Sequence, residues 1–474
     1  MSVFTNTTEV AIREQRLGTI TSYEGDLDEI IEKSKTKSLC SGCASYEQCG
    51  NCGQENAVTI TVWIQGSAVI THAPIGCGAP GIEYAASVRG SAQGQQRHVW
   101  QLTTNIQEKD TIYGAAAKLH ASIREAKERF DPKVIFILTS CVSGIIGEDI
   151  ESVADEEEEV LGIPIVPIYC EGFKSSHWAT GFDAAYHGIL RKLIHEPEKK
   201  QKDLVNIFNF LGADRLEGLL ARAGLRANFL VPFVSVEELQ TMAEAACSAT
   251  FCESLSTYIA GSLADRFGVP VLESPPPFGV KWTDNWFQEI GALTGHQEEV
   301  ERVIAEEHEK IKDELEELRG KLKGKKVYII SGDTFAFQLA NVARDLGMEI
   351  AGVTQLHHDQ VLDGKDGCGS LKQYREEHGN IDDLHICAKQ PYQVLKLVRE
   401  SGADFLFCRH TGIASFGMKL GIPALVEGNR DFSIAYEGVL NLGRRCVIAD
   451  QTRGLIANIR EHAKLPYKES WMNA

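Results

Sequence analysis

The sequence predicts an α/β protein made of three doubly wound, Rossmann-like domains whose parallel sheets surround a central crevice. Short apolar, β-branched runs recur along the chain, and a polar or Gly-rich turn and a helical stretch follow each run. Strands that alternate with helices in this way form parallel sheets. The chain has 474 residues and more apolar runs than one sheet holds, so we expect several such units.

Nine apolar runs carry this prediction. In chain order they read AVIT, VIFILTS, PIVPIYC, RANFLV, KKVYIISG, MEIAGVTQ, DLHICA, ADFLFCR and PALVEG. In open α/β sheets, ligands bind outside the C-terminal ends of the strands. The residues directly after each run are therefore the first candidates for function.

Two stretches indicate domain boundaries. The segment HEPEKKQKD (195–203) is polar and closes a helical run. A long charged stretch from Gly295 to Lys326 has apolar residues at helical spacing and predicts a solvated surface helix, which glycines near its end terminate. We therefore predict an N-terminal domain at 1–200, a middle domain at 201–325 and a C-terminal domain at 326–474.

Composition and charge exclude several classes of protein. With 43% hydrophobic and 24% charged residues, the chain resembles a soluble globular protein. No apolar run reaches the roughly 20 residues that span a membrane, and the N-terminus lacks a secretory signal pattern. We expect a cytoplasmic protein without membrane contact. The net charge of −18 argues against a nucleic-acid partner, because phosphates require basic surface.

Three cysteines lie where an apolar run gives way to a helical stretch. Cys77 follows SAVITH, Cys141 follows VIFILTS, and Cys252 precedes the helical stretch SLSTYIAGSLADRFG. A thiolate at a helix N-terminus has a lowered pKa and binds metal well. Iron–sulfur clusters take thiolates, often from several segments. Cys52, Cys77 and Cys141 together would form half of such a cage.

Four of the thirteen cysteines crowd into SLCSGCASYEQCGNCGQENA. They are Cys40, Cys43, Cys49 and Cys52. A reducing compartment disfavours a disulfide, and the short spacing between the pairs is cramped for a zinc site. A structural metal site and part of an iron–sulfur site remain open from these residues alone.

Other cysteines and histidines have a structural alternative. Cysteines away from these junctions are expected in the core, namely Cys170, Cys247, Cys368, Cys387, Cys408 and Cys446. His357 and His358 follow AGVTQL and are either site residues or a loop pair that faces solvent. His177 and His187 are either pocket residues or buried structural histidines. His72 is expected to orient the loop of Cys77. No P-loop and no nucleophile elbow occur in the chain.

Taken together, these motifs resemble the α subunit of nitrogenase component 1 and its relatives. HAPIGCG resembles the H-G-P-V-G-C-G loop of that family, and TSCVSGIIGEDIESV resembles C-P-x-G-L-I-G-D-D-I-E-S-V. IVPIYCEGF resembles V-P-V-R-C-E-G-F, and FCESLSTYIAGSLADRFGVP resembles the segment with the cofactor cysteine. The motifs occur in the same order as in the family, and the resemblance covers residues 40 to 440.

The resemblance implies two iron–sulfur sites. Cys52, Cys77 and Cys141 match the α-subunit ligands of the P-cluster, an 8Fe-7S cluster (or a 4Fe-4S cluster here) shared with the β subunit. Cys49 is the alternative to Cys52 as a ligand. Cys252 matches the cysteine that holds the large cofactor, which would be an 8Fe-9S-C-like cluster in this chain.

The chain departs from the nitrogenase pattern around that cofactor. The histidine that caps the far end of the cofactor in nitrogenase falls at Gly428, beside Glu427. Phe182 stands where another cofactor-side histidine is expected, and the arginine-rich loops read CGAPGIEYAASVRG and SGDTFAF. The chain is therefore most similar to the α subunit of methylthio-alkane reductase, which reduces methylthio compounds to methanethiol and small hydrocarbons. A cofactor-assembly scaffold and a nitrogenase α subunit are the alternatives.

The resemblance also implies partners and proton donors. The partners would be a homologous β subunit in an α2β2 heterotetramer, an ATP-dependent dimeric 4Fe-4S reductase similar to the iron protein, and a small-molecule substrate. Candidate catalytic groups that would supply protons are His177, His357, His358 and Glu427, with His410 as a further candidate.

Overall fold

The computed structural model describes residues 2–40, 52–78, 100–208, 213–230, 234–386, 391–409, 411–428 and 433–472. Within these ranges the strands form three sheets. The strands are β1 (Tyr23–Gly25), β2 (Ser67–His72), β3 (Trp100–Thr103), β4 (Val134–Thr139), β5 (Ile165–Ile168), β6 (Gln201–Phe208), β7 (Arg226–Leu230), β8 (Ala245–Thr250), β9 (Lys326–Ser331), β10 (Glu349–Gln355), β11 (Leu384–Ile386), β12 (Phe405–Cys408) and β13 (Ala424–Val426).

Helices connect and cover these strands. In the described ranges they span Arg13–Arg16, Leu27–Ser34, Gly53–Thr61, Glu108–Tyr113, Ala116–Phe130, Cys141–Ile146, Ile150–Leu161, Thr180–Lys192, Ala213–Arg222, Val236–Gln240, Glu253–Phe267, Val280–Thr294, Gln297–Leu322, Asp333–Asp345, Gly369–His378, Pro391–Glu400, Thr411–Leu420, Ala435–Gln451, Arg453–His462 and Glu469–Met472.

The first sheet has the order β3-β2-β4-β5, and all its pairings are parallel. Every residue of β2 and β4 is buried, as is usual for parallel strands that are covered on both faces. The register places His72 beside Thr139. The loops after β2 and β4, with Cys77 and Cys141, therefore leave the same edge of the sheet.

The second sheet has the order β7-β6-β8 and is also parallel. Strand β8 ends two residues before Cys252, and the helix Glu253–Phe267 follows at once. The third sheet has the order β1-β11-β10-β9-β12-β13. It is parallel except for β1, which pairs antiparallel with β11. The predicted α/β class with parallel sheets is thereby confirmed.

Strand β1 belongs to the third sheet although it comes from the N-terminal end of the chain. The helix Leu27–Ser34 follows it, and the Asp26 carboxylate caps that helix by accepting from the Glu29 backbone N–H at 2.8 Å. Residues before the first sheet thus pack on the last one. The two boundaries between the three predicted domains stay a prediction.

The long charged helix is Gln297–Leu322, close to its predicted bounds. Its apolar face is buried against the helices Val280–Thr294 and Ala435–Gln451, while most of its charged residues are exposed. It is therefore a surface helix with one packed face. None of the helices in the described ranges is long and apolar enough to cross a bilayer.

Candidate functional site

Two helix N-termini and the helical turn at residues 75–78 bring Cys52, Cys77 and Cys141 together at the edge of the first sheet. Cys52 is the N-cap of the helix Gly53–Thr61, and Cys141 is the first residue of the helix Cys141–Ile146. The Gln54 side chain donates to the Cys77 carbonyl at 3.3 Å, which ties the Cys77 loop to the helix of Cys52. The sequence prediction that these segments converge agrees with this arrangement.

Gly172 shows how close two of these thiols lie. A Cβ atom added at Gly172 would be 3.4 Å from the Cys52 Sγ and 3.7 Å from the Cys141 Sγ. The pKa of Cys77 is raised by burial and then by the neighbouring Cys52 and Cys141 thiols, so all three sulfur atoms share one neighbourhood. Cys52 and Cys141 are exposed, so this group opens to the surface.

His72 anchors this edge of the sheet, and its predicted role in orienting the loop of Cys77 stays a prediction. Its Nδ1 pairs with the Thr104 hydroxyl at 3.0 Å, and its Nε2 pairs with the Glu148 carboxylate at 2.5 Å. The backbone carbonyl of His72 accepts a hydrogen bond from the Ser140 hydroxyl at 2.9 Å. Because Ser140 caps the helix of Cys141, these contacts fix the relative position of the loops after β2 and β4.

The donor set of this group fits an iron–sulfur cluster. Thiolates are the usual ligands of such clusters, one for each iron that the protein holds, and three segments supply them here. In the described ranges, no three His, Cys, Asp or Glu side chains converge closely enough to hold a single metal ion. Cys43 and Cys49 lie outside the described residues, and Cys40 is exposed.

The other described cysteines are buried, as predicted. The Cys170 thiol donates to the Thr139 carbonyl at 3.4 Å, and Cys247, Cys368, Cys408 and Cys446 are also in the core. Cys387 lies outside the described residues. His187 is a buried structural histidine, because its Nδ1 pairs with the Tyr258 hydroxyl at 2.7 Å and its Nε2 with the Thr7 carbonyl at 2.8 Å.

Cys252 lies in a second, buried region, which includes Thr334 and which we call the inner crevice. It is the N-cap of the helix Glu253–Phe267, and only 8% of the residue is exposed. Its Sγ is 3.7 Å from the Thr334 hydroxyl, in the first turn of the helix Asp333–Asp345. Burial raises the pKa of the Cys252 thiol to about 11. The positive ends of both helices face this space and would stabilise a thiolate bound to metal.

Buried polar atoms without a hydrogen-bond partner surround the same space. The rings of His177 and His357 are in contact, with centroids 4.3 Å apart and planes tilted by 59°. Among the described residues, those that leave at least one side-chain polar atom unpartnered here are Ser254, His177, His357, Gln338 and Gln355. Such orphan groups are rare in native interiors unless an unseen group satisfies them. The free Nε2–H of His177 and the Ser254 hydroxyl can donate to the sulfides of a cluster, whereas the free atoms of Gln338 and Gln355 are amide oxygens, which accept.

These orphan groups connect to the first turn of the helix Asp333–Asp345. The Gln338 amide donates to the Thr334 hydroxyl at 3.5 Å, and the Gln355 amide donates to the Asp333 carbonyl oxygen at 3.0 Å. A Cβ atom added at Gly332 would be 3.9 Å from the His357 ring. The turn at residues 332–334 therefore approaches the Cys252 thiol through Thr334 and the His357 ring through Gly332.

Both histidines of the pair are neutral at ordinary pH. Burial lowers the pKa of His177 and of His357. The Nδ1 of His177 accepts from the Ala179 backbone N–H at 3.2 Å, so the neutral ring carries its proton on Nε2, the unpartnered atom. His177 thus presents an N–H donor to the interior.

His358 and Glu427 are placed differently from His357. The Nε2 of His358 pairs with the Ser34 hydroxyl at 2.8 Å, and its Nδ1 pairs with Asp333 at 3.0 Å. Glu427 is buried and accepts from the Ser433 backbone N–H at 2.8 Å and from Arg445 at 3.1 Å. Burial raises the pKa of Glu427. Both groups have partners, and their catalytic roles stay predictions.

The structure also places the positions where the sequence departs from nitrogenase. Phe182 is buried and packs edge-on against the Trp178 ring at 5.6 Å. A Cβ atom added at Gly428 would meet no atom of the described residues within 4 Å. His410 and residues 429–432 lie outside the described residues.

Sequence reasoning missed several residues of this crevice. Thr334, Gln338, Gln355 and Ser254 carry no motif, because single amides and hydroxyls within a helix or strand do not differ from ordinary polar residues. Position gives the only available signal. Thr334 and Gln355 lie at or just beyond the C-terminal ends of β9 and β10, where the strand-end rule applies.

Comparisons with known proteins agree with this geometry. The family model of nitrogenase component 1 type oxidoreductase matches residues 52–449. The chain is 30% identical over 428 residues to the nitrogenase iron-molybdenum cofactor biosynthesis protein NifE of Clostridium pasteurianum, which covers 85% of this chain and 87% of that protein. It is 27% identical over 461 residues to the nitrogenase molybdenum-iron protein alpha chain of Methanothermobacter thermautotrophicus, covering 92% and 94%.

A solved structure shows the same fold. The structure described as nitrogenase Cp1 at pH 6.5 superposes with a TM-score of 0.72 at 20% identity, covering 93% of this chain and all of that one. The family match includes all four cysteines of the two sites, from Cys52 to Cys252, and extends over well more than half of the sequence. The chain therefore belongs to the nitrogenase component 1 family of oxidoreductases.

Proposed function

We propose that this chain is the catalytic α-like subunit of a nitrogenase-like reductase that cleaves C–S bonds of methylthio compounds. A substrate R–S–CH₃ would take up two electrons and two protons and yield R–H and methanethiol. The large 8Fe-9S-C-like cluster on Cys252 would supply the electrons when bound. An ATP-dependent 4Fe-4S protein dimer would deliver them through a cluster on Cys52, Cys77 and Cys141.

The observation that carries this proposal is the buried pair of imidazoles with unpartnered ring nitrogens, which lies beside the turn at residues 332–334 that Cys252 contacts. Reduction of a C–S bond consumes protons, so a reductase requires N–H or O–H donors at its cluster. His177 presents such a donor, and both ring nitrogens of His357 lack partners. Their burial keeps bulk water away from the reacting bond.

The apolar wall of the crevice favours a small apolar substrate. Phe251 precedes Cys252, and its ring packs with those of Phe278 and Phe335 at centroid distances of 5.2 Å and 6.0 Å. A thioether binds favourably against aromatic rings. The open space at Gly428, where nitrogenase has a histidine, agrees with a cofactor end that this chain does not cap with imidazole.

Exposed apolar residues around the open cysteine group support a β-type partner. Among the described residues, large hydrophobic side chains are exposed on the segments that carry or contact the three cysteines, namely Ile75, Ile112, Tyr113, Ile145 and Phe173. Apolar patches of this kind mark interfaces. We propose that a homologous β subunit covers them and completes the cluster cage in an α2β2 assembly located in the cytoplasm.

The function is tested with the anaerobically purified α/β complex and its ATP-dependent reductase. With dithionite, ATP and a methylthio substrate such as dimethyl sulfide, the complex should release methanethiol and methane in equal amounts. Omission of ATP is the control. A complex that contains both clusters by metal analysis and EPR, yet releases no methanethiol from any methylthio compound offered, would contradict the proposal.

A second candidate is a cofactor-assembly scaffold. The relative with 30% identity is named a cofactor biosynthesis protein, which favours this alternative. A scaffold should transfer its cluster to a cofactor-free acceptor and show no turnover. A reductase should retain its cluster in the presence of the acceptor, because Cys252 and the donors around it are enclosed.

A further inference from the structure

The N-terminal strap, which we define as residues 13–20, lies outside the stretch that the family model matches. It nevertheless pairs with the loop that follows His357. The Ile20 backbone N–H donates to the His358 carbonyl at 2.9 Å, and the His358 N–H donates back at 2.9 Å. The Val361 N–H donates to the Leu17 carbonyl at 3.1 Å. The strap is thus paired with this loop through backbone hydrogen bonds, as neighbouring strands are.

Arg13 cross-links the two segments that carry the histidine pair. It is fully buried, and its Nε and Nη2 donate to the Asp183 carboxylate at 2.7 Å and 2.8 Å. Its Nη1 donates to Asp359 at 3.1 Å. Asp183 lies on the helix that begins just after His177, and Asp359 lies two residues after His357.

The neighbours of Arg13 reinforce the same cross-link. Arg16 donates to Asp183 and to Asp363, and the Thr19 hydroxyl donates to Asp359. A buried carboxylate left without its cation is strongly unfavourable, so these contacts hold the strap in a single position.

A cavity of about 460 Å³ lies under the strap and reaches His177. Its wall includes Glu14, Thr19 and Cys40 beside His177. His177 itself has no exposed surface, so its ring and the strap separate the cavity from the inner crevice. Displacement of the strap would open the histidine pair to this cavity.

We propose that Arg13 is a positioning residue, which holds the His177 and His357 imidazoles together and keeps the inner crevice dry. It acts through Asp183 and Asp359 and does not itself touch the reacting groups. The inference rests on the proposed function for the chemical role of the two histidines. The cross-link explains how a segment outside the family match completes the site.

Hydrogen–deuterium exchange at the C2 carbon of histidine, measured by mass spectrometry, tests this inference on the full chain. The reaction requires water at the ring and proceeds through the imidazolium form. In R13Q, both requirements become easier to meet, because the strap loosens and a cation that opposes protonation of both rings is lost. His177 and His357 should exchange about fivefold faster or more, as expected for a local opening.

Other histidines and a second arginine variant are the controls that distinguish a positioning role of Arg13 from a general loss of stability. His72 and His378 are held by other contacts, and their exchange rates should stay at the wild-type value in R13Q. R444Q removes another arginine that two carboxylates bind, and it should change neither His177 nor His357. Wild-type exchange of the pair in R13Q, or equal acceleration of every histidine, would overturn the proposal.

Two milder variants keep the test decisive if R13Q does not fold. R13K retains the charge but cannot bridge three carboxylate oxygens, so exchange of the pair should fall between wild type and R13Q. T19V removes only the hydroxyl bond to Asp359 and should accelerate His357 more than His72. Unchanged exchange in both variants would contradict the inference. The exchange measurement needs neither a bound cluster nor turnover. Its outcome therefore does not depend on whether the reductase assay succeeds or fails.

Discussion

The absence of a side chain at Gly172 leaves room for the thiols of the open cysteine group, which consists of Cys52, Cys77 and Cys141. An alanine there would place its Cβ 2.9 Å from the Cys52 Cβ and between the sulfur atoms of Cys52 and Cys141. Overpacking of this kind costs about 1–3 kcal/mol and displaces side chains. The relay cluster is the cluster that we propose for Cys52, Cys77 and Cys141. We expect G172A to remove the EPR signal of the relay cluster from the α/β complex, while the cluster held by Cys252 remains.

Gly454 provides the matched control for this substitution. A Cβ atom there meets no atom within 4 Å, so G454A should keep both cluster signals. If G172A retains the full relay signal and iron content, Cys52 and Cys141 do not hold a cluster between them.

Cys252 is the second residue whose role a single substitution can test. In C252A the inner crevice loses its only cysteine at the junction of β8 and the helix Glu253–Phe267. We expect substrate reduction and the EPR signal of the large cluster to disappear, whereas the relay-cluster signal stays. C247A, five residues earlier and also buried, should keep turnover. Full turnover of purified C252A would exclude Cys252 as the ligand.

The sequence predicted the convergence of Cys52, Cys77 and Cys141, whereas it did not predict the hydrogen-bond partners of the histidines. Cysteines after strand ends stand out, since few other reasons place a thiol beside glycine at such a junction. The HH-D pattern at His357 could not show that His358 is bound to Ser34 and Asp333 while His357 is unpartnered. That distinction depends on Ser34, which is distant in sequence and approaches only in the folded chain.

At the scale of elements, the nine apolar runs all coincide with strands, whereas four other strands were missed. Strands β1 and β3 are short, and β6 begins with the charged residues that had indicated a linker. Strand β8 reads AACSAT, which lacks the β-branched residues that mark a strand. Tertiary burial between neighbouring elements stabilises these segments, and local propensity does not reveal it.

Asp345 links two helices and gives their packing a predictable pH dependence. Its carboxylate accepts from the Val280 backbone N–H at 2.6 Å and so caps the helix Val280–Thr294. Burial raises the pKa of Asp345 to about 6 from its ordinary value of 3.8. The folded chain therefore favours the protonated form, and its stability falls as the pH rises from about 4 to 6.

We therefore expect D345N to stabilise the chain at neutral pH. Asparagine keeps a cap acceptor and removes the charge, so the free energy of unfolding should rise by about 1–2 kcal/mol at pH 7 and change little at pH 4. Denaturant unfolding at both pH values measures this difference. D284N, which alters a neighbouring carboxylate with no N-cap role, is the comparison. A gain for D345N that is equal at both pH values would contradict the raised pKa of Asp345.

At the scale of the whole molecule, the two sites differ in their access to the surface. The group of Cys52, Cys77 and Cys141 opens outward among exposed apolar residues, while Cys252 lies enclosed between the second and third sheets. Both sites lie where parallel strands end, as the strand-end rule requires, although β8, the strand before Cys252, is not among the nine runs that the sequence analysis lists. The sequence could not predict the N-terminal strap, since its contacts join residues more than 160 positions apart.

The exposed residues around Cys52, Cys77 and Cys141 make assembly with a partner subunit testable. Ile145 is 76% exposed on the helix that begins with Cys141, and Phe173 is 56% exposed beside Gly172. Burial of such side chains in a partner stabilises a complex by about 1.5–3 kcal/mol each, so a charge at Ile145 should weaken assembly at least about tenfold.

I145E should shift the α/β complex to separate subunits in size-exclusion chromatography with light scattering and should lose the relay cluster. L455E places the same charge at an equally exposed leucine, 63% exposed on the helix Arg453–His462, and should leave the complex intact. If I145E assembles like wild type while L455E dissociates, the partner binds a different face of the chain.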